Sequence, residues 1–276
     1  MRILDSNEYI NEKLTIHPVT KDRLSKMKEE PFVDEEAKRF IEDNNLKWNP
    51  KKMCYDCEDN VKVSEDIVAG GKLKIRFGKI GGHFYCNKNH LTTLDGAPKE
   101  VGGIFHCDNN KLTTLKGAPN VVGGGFSCGY NKLTTLEGAP QKVGGGFFCS
   151  FNNLTTLEGA PQKVGGNFDC THNYLTTLEG APNEISGYFD CRTNNLTTLE
   201  GAPKKVGGYF VCDNNKLTTL EGAPQEVGGD FYCNSNKLTS LEGVPQEVGG
   251  NFYCNDNQNL VLSKEKPSWV KGKIYN

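Results

Sequence analysis

Nine of the eleven cysteines (Cys86, Cys107, Cys128, Cys149, Cys170, Cys191, Cys212, Cys233 and Cys254) recur 21 residues apart. Thiols serve as nucleophiles, metal ligands or disulfide partners, and here the spacing decides among these roles. An odd column of nine cannot pair completely, and a reducing compartment disfavours pairing any of them. Strands of a sheet lie about 4.8 Å apart, so one cysteine per coil at a fixed phase stacks on its own copies as a small buried hydrophobe. A thiol that points into a core is a poor nucleophile. The remaining two form Cys54-Tyr55-Asp56-Cys57, a C-x-x-C pair. It lacks the second half of a zinc site and the βαβ setting of a redox motif. Cys54 and Cys57 are therefore weak metal candidates that read as ordinary cap cysteines, and no cofactor is expected.

Other chemistry-bearing residues follow the same period. Asp95, Glu137, Glu158, Glu179, Glu200, Glu221 and Glu242 form an acidic column interrupted by Lys116, which reads as a solvated edge. The Gly-Gly steps are not followed by G-K-[ST] and open no helix, so they are not phosphate loops. His83, His90 and His106 lie in the first two coils without an accompanying nucleophile. No set of residues meets the geometric demands of an acid, base and nucleophile, so the chain reads as a non-enzyme.

The period itself dictates the elements. From Val101 one unit reads V-G-G-I-F-H-C-D-N-N-K-L-T-T-L-K-G-A-P-N-V. In Phe105-His106-Cys107 the first and third side chains point inward and His106 points out. Asn110 bonds backbone at the next corner, as part of an asparagine ladder. Leu112 and Leu115 fill the following face. Gly117-Ala118-Pro119 makes a tight corner, and Gly123-Gly124 lets the backbone re-enter the sheet. Twenty-one residues leave no room for a convex-side helix. The expectation is a mainly β solenoid with one parallel sheet and extended or turn structure elsewhere, a β-solenoid of another kind being the alternative.

The segment F-x-C-x-x-N-x-L resembles the L-x-L-x-x-N-x-L stretch of the leucine-rich repeat. The whole unit is similar to short bacterial leucine-rich repeats, including those of secreted effector ubiquitin ligases. It looks still more like the G-A-P-x-x-V-G-G-x-F-x-C-x-x-N-x-L-T-T-L-E arrays of tailed, T4-like bacteriophage proteins, and Ser6–Leu14 with Pro18–Leu24 resembles the start of such proteins. The resemblance implies a leucine-rich-repeat solenoid of viral origin and assigns no activity.

Four segments follow. A small helical N-terminal cap covers 1–50, with Ser6, Thr20 and Asp34 as candidate N-caps. A β transition, a capping strand or hairpin, covers 51–79. Nine 21-residue repeats cover 80–262. A C-terminal cap at 263–276 carries a truncated tenth strand, with Ile274 in the Phe slot and Trp269 over the last coil.

The net charge of −2 and the lack of a basic stripe argue against nucleic-acid binding. The apolar runs are too short to span a membrane, and no signal-peptide core follows Met1, so a cytoplasmic location is expected. Function is left to the outward strand positions that escape the period. Tyr188, Tyr209, Tyr232 and Tyr253 cluster in the C-terminal half among Asp190, Arg192, Asp213 and Asp230, with Phe148 and Phe151 as a second apolar spot. Tyrosine and arginine beside acids suit a protein-binding hot spot. The reading is a protein-binding scaffold, a phage accessory protein acting on a host or viral protein. The alternatives are a virion or self-associating structural component, or an enzyme whose activity lies in the N-terminal region.

Overall fold

The computed structural model describes residues 30–262 and 267–276. The helix starts expected at Ser6 and Thr20 lie outside the described residues. Helix α1 (Glu35–Asp43) opens the described chain. Its N-cap, Asp34, has extended backbone, and Oδ1 accepts from the Ala37 N–H at 2.8 Å. Ala37 and Phe40 are buried, and Phe40 meets Phe77 edge-on at 6.3 Å. The helix thereby covers the first open coil, whose core would otherwise meet water.

Six short strands follow: β1 (Lys47–Asn49), β2 (Cys54–Cys57), β3 (Val61–Lys62), β4 (Val68–Ala69), β5 (Lys72–Leu73) and β6 (Phe77–Ile80). β1 closes on β2 antiparallel, whereas β2 and β6 pair in parallel. Gly70 and Gly71 both take positive φ, +57° and +76°, and turn β4 onto β5 as a hairpin. Two successive left-handed residues are what a two-residue primed turn requires. This Gly pair therefore differs in conformation from the repeat's Gly-Gly steps.

Beyond β6 the coils from Glu100 to Tyr253 each carry two strands of two residues. One contains the Phe: Val61, then Phe84 and its copies to Phe252, then Ile274 form a parallel sheet of eleven strands. The other ends on the Val, as in Glu100–Val101 and Val121–Val122. The sequence pattern predicts one parallel sheet, and the structure has a second ladder. Its cause is the Gly-Gly corner, which turns the chain sharply enough that the residues before it also stack in register. Gly102 and Gly123 donate N–H to Ile80 O and Val101 O of the preceding coils, both at 2.8 Å.

The second ladder is broken once, into seven strands ending at Lys163–Val164 and four beginning at Glu184–Ile185. At the break the unit reads Ile185-Ser186-Gly187. In another coil, a Cβ on Gly144 would lie 2.1 Å from Gly123 O. Ser186 carries such a Cβ, so the coils cannot approach there and the pairing lapses.

The core is a set of columns. Phe rings from Phe84 to Phe252 are fully buried and stack nearly parallel, with centroids 5.5 Å apart for Phe84–Phe105 and 5.1 Å for Phe231–Phe252. Each ladder Asn ties two coils together. Asn152 Nδ2 donates to Cys128 O of the preceding coil and Cys149 O of its own, both at 3.1 Å, and Oδ1 accepts from Leu133 N at 3.0 Å. At the far end Ile274 pairs with Phe252, and Trp269 covers that ring edge-on at 5.0 Å. Among the described residues no helix is long and apolar enough to cross a membrane.

Candidate interaction surface

The Phe strands present two outward columns, the residue before Phe and the residue after it. Because strand neighbours stack in register, like side chains in successive coils meet face to face. Tyr188 and Tyr209 stack at 4.6 Å and 6° in the first column. Tyr232 and Tyr253 stack at 4.6 Å and 2° in the second, and Tyr275 continues the stack at 4.7 Å. Tyr209 meets Tyr232 edge-on at 6.4 Å, which joins the two runs. The tyrosines thus form one line from Tyr188 to Tyr275. Tyr275 lay outside the sequence reading, although its position directly after Ile274 puts it in phase with Tyr253.

Between the two runs, Val211 takes the place a Tyr would fill. The result is a shallow depression of about 320 Å³ lined by Arg192, Tyr209, Val211, Asp213 and Tyr232. The acids around it are held internally. Asp190 is 3% exposed and lies beneath Arg192, whose Nε donates to Asp190 Oδ2 at 2.9 Å. Burial pushes the Asp190 carboxyl above its ordinary range against the opposing pull of Arg192, while Asp190 raises the guanidinium. Asp190 therefore serves the surface through Arg192, which it orients and which remains exposed. Asp213 accepts from Asn234 N at 2.7 Å, and burial raises it also. Asp230 accepts from the Tyr232 hydroxyl at 2.9 Å and from Asn251 N at 2.6 Å. Burial first and this hydrogen bond second push the Tyr232 phenol up to about 12. The Tyr188 phenol, half-buried and near acids, is raised to about 12 as well.

Phe148 and Phe151, taken together in the sequence reading, have different partners. The Phe148 ring lies over the backbone of Gly146, where a Cβ would fall 2.5 Å from its Cζ, and reaches Gly125. Phe151 stacks on Tyr130 at 4.3 Å and on His172 at 4.1 Å. These three occupy the position just before the ladder Asn, where every coil takes a left-handed φ: +52° at Tyr130, +54° at Phe151 and His172. Asn109, Asn214 and Asp256, residue types suited to that conformation, hold it in other coils. Sequence reasoning missed Tyr130 and His172, yet their 21-residue spacing around Phe151 was visible.

Cys54 and Cys57 are not brought together. Cys57 joins the core cluster and Sγ donates to Asn44 O at 3.4 Å, whereas Cys54 lies on the other face of β2 near Asp56. The ladder thiols donate weakly to the next coil, as Cys107 Sγ does to Ser127 O at 3.3 Å. Burial holds them well above the ordinary thiol range, with Cys254, in the last full repeat, up to about 11. The acidic column stays exposed, and Lys116 pairs with Glu137 at 3.3 Å.

No protein-family model and no curated protein matches the chain. Among solved structures it is similar to YopM from Yersinia enterocolitica WA-314, at 16% sequence identity and a TM-score of 0.52. The match covers 80% of this chain and 54% of that one, so this chain spans about half the length of its structural neighbour. At that identity the likeness is one of fold. With its 21-residue coils, parallel ladders and single small helix among the described residues, the chain is a leucine-rich-repeat solenoid.

Proposed function

We propose that the chain is a non-enzymatic scaffold that binds a protein partner through the outward face of its Phe strands. The observation that carries this reading is the unbroken line of tyrosines from Tyr188 to Tyr275, with Arg192 held upright by buried Asp190. Stacked tyrosines offer large, rigid contact area whose ordering entropy is already lost before a partner arrives. The resemblance of the repeat to T4-like phage arrays extends the reading. The chain is a phage accessory protein that acts in the host cytoplasm by engaging a host protein, and inhibition of a defence component is the use that fits.

Affinity purification from host cells, with mass spectrometry of what is retained, identifies the partner. A Tyr188→Ala, Tyr209→Ala, Tyr232→Ala variant should then lose at least about tenfold in affinity, since hot-spot truncations each cost about 2 kcal/mol or more. Its circular dichroism should match the parent, because all three side chains lie on the surface. Unchanged affinity in a folded variant refutes the site.

A further inference from the structure

A second concavity lies on the Val-ladder side at the N-terminal end, with a volume of about 640 Å³. Its origin is a shortened coil. In the first full repeat, seven positions separate the second Leu, Leu94, from Val101, and the Gly96-Ala97-Pro98 corner falls between them. In the coil before it Ile75 holds the Leu94 slot: a Cβ on Gly96 would face Ile75 O at 2.8 Å, as one on Gly117 would face Leu94 O at 2.7 Å. Ile80 pairs with Val101. Only five positions separate Ile75 from Ile80, so this coil lacks the corner, and the next coil's Gly96 and Ala97 are left lining a recess.

Charge collects around that floor. Lys52 from the β1–β2 turn, Arg76 and Lys79 from β6 and its approach, and Lys99 from the following coil line the recess against Asp95 and Glu100. Among the described residues none of these four cations makes an ion pair, although Lys74, Lys116, Lys205 and Arg192 all do. Asp56, beneath Gly78, is already engaged: Oδ1 accepts from Lys79 N and Oδ2 from Asn49 Nδ2, both at 2.7 Å. Gly78 leaves the backbone bare, since a Cβ there would fall 2.1 Å from Asp56 Oδ1. Unpaired cations around a concave site repel one another, and an anion relieves that repulsion.

We propose that this recess binds a phosphate-bearing small molecule of nucleotide size. Arg76 supplies the forked donor that suits two phosphate oxygens, and Lys52, Lys79 and Lys99 supply point charges around it. The volume falls within the range of small-molecule sites. Glu100 lies opposite Lys79 in the strand register and Asp95 follows Arg76 in the same phase of the next coil, so four cations stand against two carboxylates and the recess keeps a net positive charge.

Isothermal titration of the full chain tests this with ADP, pyrophosphate and adenosine. ADP and pyrophosphate should each bind saturably at one site, more weakly as salt rises, and adenosine should not bind. Arg76→Glu with Lys79→Glu should weaken both by at least about tenfold, while Lys132→Glu with Lys216→Glu, exposed lysines of other coils, should leave both unchanged. Should the charge reversal disturb the circular dichroism, Arg76→Gln with Lys79→Gln serves in its place. The assignment is overturned by the lack of saturable ADP and pyrophosphate binding, by adenosine binding as tightly as ADP, or by equal loss in the Lys132 and Lys216 variant.

Discussion

Single residues divide here into those that hold coils together and those that face outward, and the asparagine ladder shows what the first kind costs to lose. Asn173 is 6% exposed; Nδ2 donates to Cys149 O at 3.2 Å and Cys170 O at 3.1 Å, and Oδ1 accepts from Leu154 N at 3.0 Å. Asn173→Ala strands those backbone groups without water, so unfolding free energy should fall by about 3 kcal/mol, measured by urea titration. A loss below about 1 kcal/mol would mean that water replaces the amide. The left-handed position beside each ladder Asn belongs to the second kind. Tyr130, Phe151 and His172 hold a conformation that bulky residues adopt at a cost, and Tyr130 and Phe151 are exposed while doing so. Their phase was readable in the sequence. That their rings meet was not, because stacking depends on the rotamers of three separate coils.

At the scale of elements, the Gly-Gly corner decides how closely coils approach. Ser186 is a substitution already present in the chain, and the Val ladder lapses beside it. Gly144→Ala should reproduce that break in another coil, since the new Cβ would meet Gly123 O at 2.1 Å. We expect a loss of about 2 kcal/mol in unfolding free energy, together with faster amide exchange at Gly144 and Gly165. Conversely, Ser186→Gly should slow exchange at residue 186, whose N–H lacks the bond to Val164 O that corresponds to Gly165 N–H on Val143 O. Unaltered exchange in both variants would detach the break from the Cβ. The two-residue Val strands went unforeseen because they lack the alternation that marks a strand: one residue faces the core, and then the chain turns. The Phe strands were legible because Phe and Cys flank one outward residue in every unit.

For the whole molecule, nine buried thiols couple folding to pH. Burial raises each folded thiol above its ordinary value of 9.0, so above about pH 9 the unfolded chain releases protons that the folded chain keeps. Stability is therefore full below pH 9 and falls as pH rises, by about 1.4 kcal/mol per pH unit for each thiol. Circular dichroism should show cooperative unfolding between about pH 9 and 11, and thiol reagents should leave the ladder cysteines unlabelled until then. A fold intact and unlabelled beyond that range would contradict the burial argument. The 21-residue period determined by itself the solenoid, the inward columns and the outward faces, because each coil repeats one pattern of hydrophobic burial and turn chemistry. Tertiary stacking decided the rest. It set Cys54 and Cys57 on opposite faces of β2, buried Asp190 under Arg192, parted Phe148 from Phe151, and opened a recess where one coil is two residues short. These outcomes depend on how neighbouring coils fit against each other, and no single unit of the repeat contains its neighbour.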